Sequence, residues 1–143
     1  MPFFVVLIYM KTIFLSIVLL VSAYNCAQEN LDLTYLAQTR GFFLQIEIHS
    51  SKLKVTHTRG GETKERELTQ REQDELKDIL THTDFEKVKT TESTKSHSDA
   101  AAMANLSLTL DGEHREFDFD HGSPPKLLDS LVQKMISLSE TTE

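Results

Sequence analysis

Cysteine is nearly missing: Cys26 is the single one in 143 residues, so no internal disulfide braces the chain and a packed core has to hold it. No glycine-rich phosphate loop is present, since Gly60-Gly61 lacks a following Lys-Ser/Thr and sits between two strand-like runs. No Gly-x-Ser-x-Gly elbow exists to present a nucleophilic serine. The histidines His49, His57, His82, His97, His114 and His121 include no i, i+4 pair of the kind that binds zinc on a helix. His97-Ser98-Asp99 and Asp118-Phe119-Asp120-His121 put ligand types side by side, but alternate strand positions bring only two of them together. We therefore expect no catalytic residues, no metal site and no cofactor. Positive charge is also in deficit. Fifteen Lys and Arg face 22 Asp and Glu, a net charge of −7, which argues against nucleic acid and anionic membrane surfaces as partners. There is no internal repeat, and the length suits one domain.

What the chain does have begins with an apolar start. Most of residues 3–23 are hydrophobic, and Met10-Lys11 followed by Thr12 to Val21 has the short basic start and apolar core of a signal peptide. Read from Met1, Lys11 would lie inside the apolar run, where a charge costs about 2.5–3.5 kcal/mol on insertion scales. Met10 is thus the expected true start. The run after Lys11 is short of the ~20 residues that span a bilayer. Val21-Ser22-Ala23 offers a small-residue cleavage site, and a cut after Ala27 is the alternative. Cys26 stands where a lipoprotein cysteine would stand, although Tyr24 and Asn25 are poor neighbours for one. Residues 1–27 are read as a signal peptide or lipoprotein leader, and residues 28–143 as a single small domain. The location is periplasmic, outer-membrane-anchored or extracellular, with membrane contact only through the leader or a lipid.

Past the leader, period-2 alternation dominates. Leu31, Leu33 and Tyr35 suggest a short first strand or a single helical turn. Gln38-Thr39-Arg40-Gly41 makes a turn, and Phe42, Leu44, Ile46 and Ile48 mark one face of a strand ending at His49. Ser50-Ser51 reverses the chain into a third strand with Leu53, Val55 and His57 on one side. Arg59-Gly60-Gly61-Glu62 turns it again into a charged strand from Thr63 to Leu68, whose charge suits a sheet edge. Thr69 and Glu72 form a capping box that opens a helix to Leu80, with Leu76, Ile79 and Leu80 facing inward. Phe85 and Val88 dock the segment after it. Residues 89–101 have no period and read as a mobile loop or one that orders on a partner.

The clearest stretch follows. Ala104, Leu106, Leu108 and Leu110 alternate with polar residues up to Asp111-Gly112, a pair suited to a two-residue type I′ turn. Counting outward from that turn sets Leu110 opposite Glu113, Leu108 opposite Arg115, Leu106 opposite Phe117 and Ala104 opposite Phe119, while His114, Glu116, Asp118 and Asp120 face water. Ser123 is placed to cap a last helix with Pro124 in its first turn. Leu127, Leu128, Leu131, Val132, Met135 and Leu138 line its apolar face, whose natural target is the hairpin. The fold class is α+β, an antiparallel sheet in β-β-β-β-α-β-β-α order with two helices packed on one face.

Arg40-Gly41-Phe42-Phe43 is the one stretch that reads as a recognition edge; alternatively Arg40 covers the sheet end and Phe43 packs on a helix or neighbouring strand. Taken with Leu68, the helix into Thr83-Asp84-Phe85, the Asp111-Gly112 hairpin and Gly122-Ser123-Pro124-Pro125-Lys126-Leu127-Leu128, it resembles emfourin, a family of small bacterial inhibitors of thermolysin-type metalloproteases. The likeness covers most of residues 39–138. This chain departs from the family in its leader, its extra first strand and Thr39-Arg40 before Gly41, where a further small residue is usual. The leader, the Arg-Gly-Phe strand and the hairpin are also similar to small envelope proteins of the Bacteroidetes type. The leader implies export, and the resemblance implies a non-enzymatic domain that binds a protein such as a secreted metalloprotease; a monomer is expected. Its contacts are expected at Arg40, Gly41, Arg59, Gly60, Gly61, Asp99, His121 and Gly122. A structural envelope lipoprotein is the second reading, and a small hydrolase or metal-binding protein the third.

Overall fold

The alternation seen in the sequence becomes six strands with one dry face. The computed structural model describes residues 31–88 and 102–142. The leader, the Met10 start, the cleavage site, Cys26, the 89–101 loop and Asp99 all lie outside the described residues. The strands are β1 (Asp32–Gln38), β2 (Phe43–His49), β3 (Lys52–Thr56), β4 (Thr63–Glu67), β5 (Met103–Leu110) and β6 (Glu113–Asp120). Helix α1 (Gln70–His82) and a 3-10 turn (Phe85–Lys87) follow β4, and helix α2 (Asp129–Glu140) closes the chain. The sheet order is β4-β3-β2-β1-β5-β6, every neighbouring pair antiparallel.

The hairpin register is the one counted from Asp111-Gly112, with Leu106 opposite Phe117 and Ala104 opposite Phe119. Asp111 at φ 52° and Gly112 at φ 80° supply the two positive dihedrals that a type I′ turn demands. The pairing chain Val55, Ile46, Tyr35, Leu106, Phe117 runs across five strands on one buried face. Leu76, Leu80, Leu128, Leu131, Val132, Met135 and Leu138 complete the same core. Each fully buried Leu, Ile or Phe is worth roughly 1.5–3 kcal/mol relative to exposure.

Three local expectations are corrected. The first strand is neither short nor a helical turn: it runs to Gln38 and is central, paired with both β2 and β5. The closing helix does not begin at Pro124 under a Ser123 cap. It begins at Asp129, after a turn in which Leu128 N–H donates to the Pro125 carbonyl at 2.8 Å. Pro125 is the reason, because a residue that precedes proline is driven out of the helical region, and here that residue is Pro124. Leu127 is consequently 42% exposed, whereas Leu128 is fully buried. Finally, α2 packs on α1 and comes nearest β2, at the middle of the sheet rather than over the hairpin. Phe85 of the 3-10 turn covers Phe117 instead, their rings 6.2 Å apart and stacked.

α1 starts as its capping box requires, with Glu72 N–H donating to Thr69 Oγ1 and Thr69 N–H to Glu72 Oε2. Glu72 does more than cap. Arg66 pairs with Leu53 in the ladder and so stands on the helix side of edge strand β4. Its guanidinium grips Glu72 through two bonds of 2.9 Å and reaches Thr141 Oγ1 at 2.8 Å. This fork holds the Glu72 carboxyl down at about 2. Lys134 of α2 pairs with Glu75 of α1 alongside.

Candidate functional site

In an antiparallel sheet, turns gather at two ends. One end receives the β1–β2 turn, the β3–β4 turn, the start of β5 and the exit from β6. The sequence-derived residues Arg40 and Gly41, Arg59, Gly60 and Gly61, and His121 and Gly122 come from three of these loops, so the fold brings them to one end. Asp99 precedes the start of β5 in sequence but lies outside the described residues.

Each loop is built by short-range bonds. Thr39 Oγ1 accepts from the N–H groups of Gly41 at 3.2 Å and Phe42 at 3.1 Å, a hydroxyl-closed turn, while Thr39 N–H donates to the Phe42 carbonyl at 2.8 Å. Arg59 Nη2 donates to Gln38 Oε1 at 2.9 Å, tying the β3–β4 turn back to the central strand. In that turn Gly60 sits at φ 70°, and a Cβ on Gly61 would lie 2.8 Å from Thr58 Cβ, so the fold itself requires both glycines. Gly41 and Gly122 are different: a Cβ on either would meet nothing within 4 Å.

His121 links this end to the core. Its N–H donates to the Ala102 carbonyl at 2.8 Å, adding one rung to the β5–β6 ladder. Its ring lies 5.2 Å from that of Phe42, and its Nδ1 is 2.5 Å from the hydroxyl of Tyr35. Tyr35 is wholly buried, and that burial pushes its phenol up to about 12. The phenol therefore keeps its proton, and the bond forms with either partner as donor, Tyr35 O–H to a bare Nδ1 or Nδ1–H to the phenol oxygen. Thr39, Phe42, Asp120, His121, Gly122 and Ser123 surround a shallow pocket of about 450 Å³. A larger cleft of about 660 Å³ lies at the opposite end, between the start of β1, the end of α1 and the β5–β6 turn, and includes none of the sequence-derived residues.

Sequence reasoning missed Phe42 and Tyr35. Phe42 shares parity with Leu44 and was expected inside, but it precedes the first rung of β2 and is 40% exposed against His121. A tyrosine at a buried position of the first strand was the available signal, since a buried phenol needs a polar neighbour. Phe43, the other aromatic of that stretch, faces the side of the sheet away from the helices. The acidic face of the last hairpin is exposed as expected, and Asn105 Nδ2 donates to both Glu116 at 2.7 Å and Asp118 at 2.8 Å. Among the described residues no group of three His, Cys, Asp or Glu side chains is arranged to hold a metal ion, and no helix is long and apolar enough to cross a membrane.

No protein-family model and no curated protein matches the chain.

Proposed function

We propose that the chain is an exported, non-enzymatic domain that binds another protein through the loop end bearing Arg40, Gly41, Phe42, Arg59, His121 and Gly122. The observation that carries this reading is convergence: loops as far apart in sequence as Arg40 and Gly122 come to one end of the sheet. Two glycines there, Gly41 and Gly122, answer to no demand of the backbone or of packing, and a bare backbone permits close approach by a partner. Arginine and aromatic side chains together make up the usual chemistry of strong protein contacts.

Orientation supports the same reading. The described chain enters the sheet at Leu31, at the end opposite these loops, and the seven residues of β1 span roughly 23 Å at about 3.3 Å each. A lipid on Cys26, or any leader retained before Leu31, would leave the loops pointing outward from the membrane. The emfourin resemblance makes the partner concrete as a thermolysin-type metalloprotease. Titration of such a protease with the purified protein is expected to inhibit it, with Arg40→Ala, Arg59→Ala and His121→Ala each weakening the effect by tenfold or more. No inhibition at micromolar concentration removes the inhibitor role and favours the structural envelope reading.

A further inference from the structure

The face of the sheet turned away from the helices is polar over most of its area, with Asp32, Thr34, Glu47, Lys54, Ser107 and Thr109 among its side chains. Three apolar residues interrupt it at one corner. Phe43 and Met103 both pair directly with Gln38, one from each side, and Leu36 lies two residues back along the same strand. Leu36 is thus diagonal to both, within the ~7–8 Å over which long and aromatic side chains still touch. Met103 is 43% exposed although it sits inside a ladder. Beyond Met103 the row ends in the exposed carboxylate of Asp120, its partner in the pairing. On the Phe43 side the Arg59 guanidinium comes in from the β3–β4 turn and donates to Gln38. Read across the strands, the row carries an anion on its β6 side and a cation that enters from its β3 side, with apolar residues on either side of Gln38.

Such a row is complementary to its own image. We propose that this corner pairs with a second copy of the chain, face to face, about a two-fold axis parallel to β1. That half-turn lays Met103 on Phe43 twice and Asp120 against Arg59 twice, while Leu36 and Gln38 meet their own counterparts. A half-turn about an axis across the strands would set Asp120 on Asp120, so the charges select the first arrangement. The contact is isologous and closes at two subunits. Stacked sheets about 10 Å apart leave room for the two layers of side chains. The rest of the face is polar and forms a wet rim, which puts the dimer in the weak, transient class of interfaces. This pairing does not depend on the protein-binding reading above, although the two share Arg59.

Sedimentation velocity on the protein as the producing cell delivers it, under reducing conditions, tests this from about 10 µM to about 1 mM, the range expected of weak contacts. The unsubstituted protein is expected to dimerise with rising concentration. Asp120→Arg and Arg59→Asp should each weaken the dimer by tenfold or more, and the double charge swap should restore it to within about threefold. Met103→Asp should abolish it, with circular dichroism confirming the fold of every variant. All variants share one leader, so association through that leader cannot produce the loss and the rescue. Dimerisation that survives Met103→Asp, or a swap that fails to restore it, overturns the proposal. So does a monomer at about 1 mM, which would leave the corner to a different protein.

Discussion

Replacing Glu72 by Gln tests how the edge strand and both helices are locked together. The substitution keeps shape and removes charge, so Arg66 loses its bidentate carboxylate and retains neutral acceptors, Thr141 Oγ1 at 2.8 Å and the Glu67 carbonyl at 3.2 Å. Arg66 and Glu72 keep only 23% and 20% of their side-chain surface, so water competes weakly for the pair. Holding the carboxyl at about 2 instead of its ordinary 4.5 corresponds to about 3.4 kcal/mol at 1.36 kcal/mol per pH unit. Solvent screening at a partly exposed site and the capping bonds that Gln can still make reduce this to about 2 kcal/mol. A depressed carboxylate stabilises the fold above its unfolded value, and that stability is lost as pH falls through the folded one. Urea unfolding of both proteins should therefore show a difference of about 2 kcal/mol at pH 7 that shrinks between pH 4.5 and 2. A difference that stays constant across that window, or that is below about 0.5 kcal/mol at pH 7, would refute the coupling.

Gly61→Ala should cost about 1 kcal/mol or more in urea unfolding, because its Cβ would collide with Thr58, while Gly41→Ala and Gly122→Ala should fall within about 0.5 kcal/mol of the parent. Equal costs at the three positions would mean that the fold, and not a partner, dictates all of these glycines. Tyr35 should ionise near pH 12 in a spectrophotometric titration. Its raised value means that stability present below pH 10 is lost as pH rises from 10 towards 12, and Tyr35→Phe should remove that alkaline dependence at a cost of about 1 kcal/mol for the lost bond to His121.

The parts of the fold legible in the sequence were those fixed by neighbours in the chain. Asp111-Gly112 and the alternation on either side determine one register, and Thr69 with Glu72 determines one helix start, so both could be read without any distant contact. What could not be read depends on pairing across the chain. Leu31 to Tyr35 shows alternation and nothing that says it will sit between β2 and β5. Arg66 looks like one more edge charge until α1 and α2 arrive beside it, although its parity with buried Leu68 pointed inward. The late start of α2 was misread for a local reason, since Pro124 is a good first helical residue only when another proline does not follow it. At the loop end, the residues Arg40, Arg59 and His121 were legible as turn residues; their meeting at one place was a property of the topology.

The central position of β1 governs how the molecule can assemble as it is synthesised. Leu33 finds Ile48 within the first hairpin but must wait for Leu108, far along the chain, to cover its other side. Until then a nascent four-stranded meander carries β1 as a bare, sticky margin, the kind of surface that chaperones shield. Completion takes a long-range pairing of β1 with β5, the kind of contact that forms slowly because a long loop must close first.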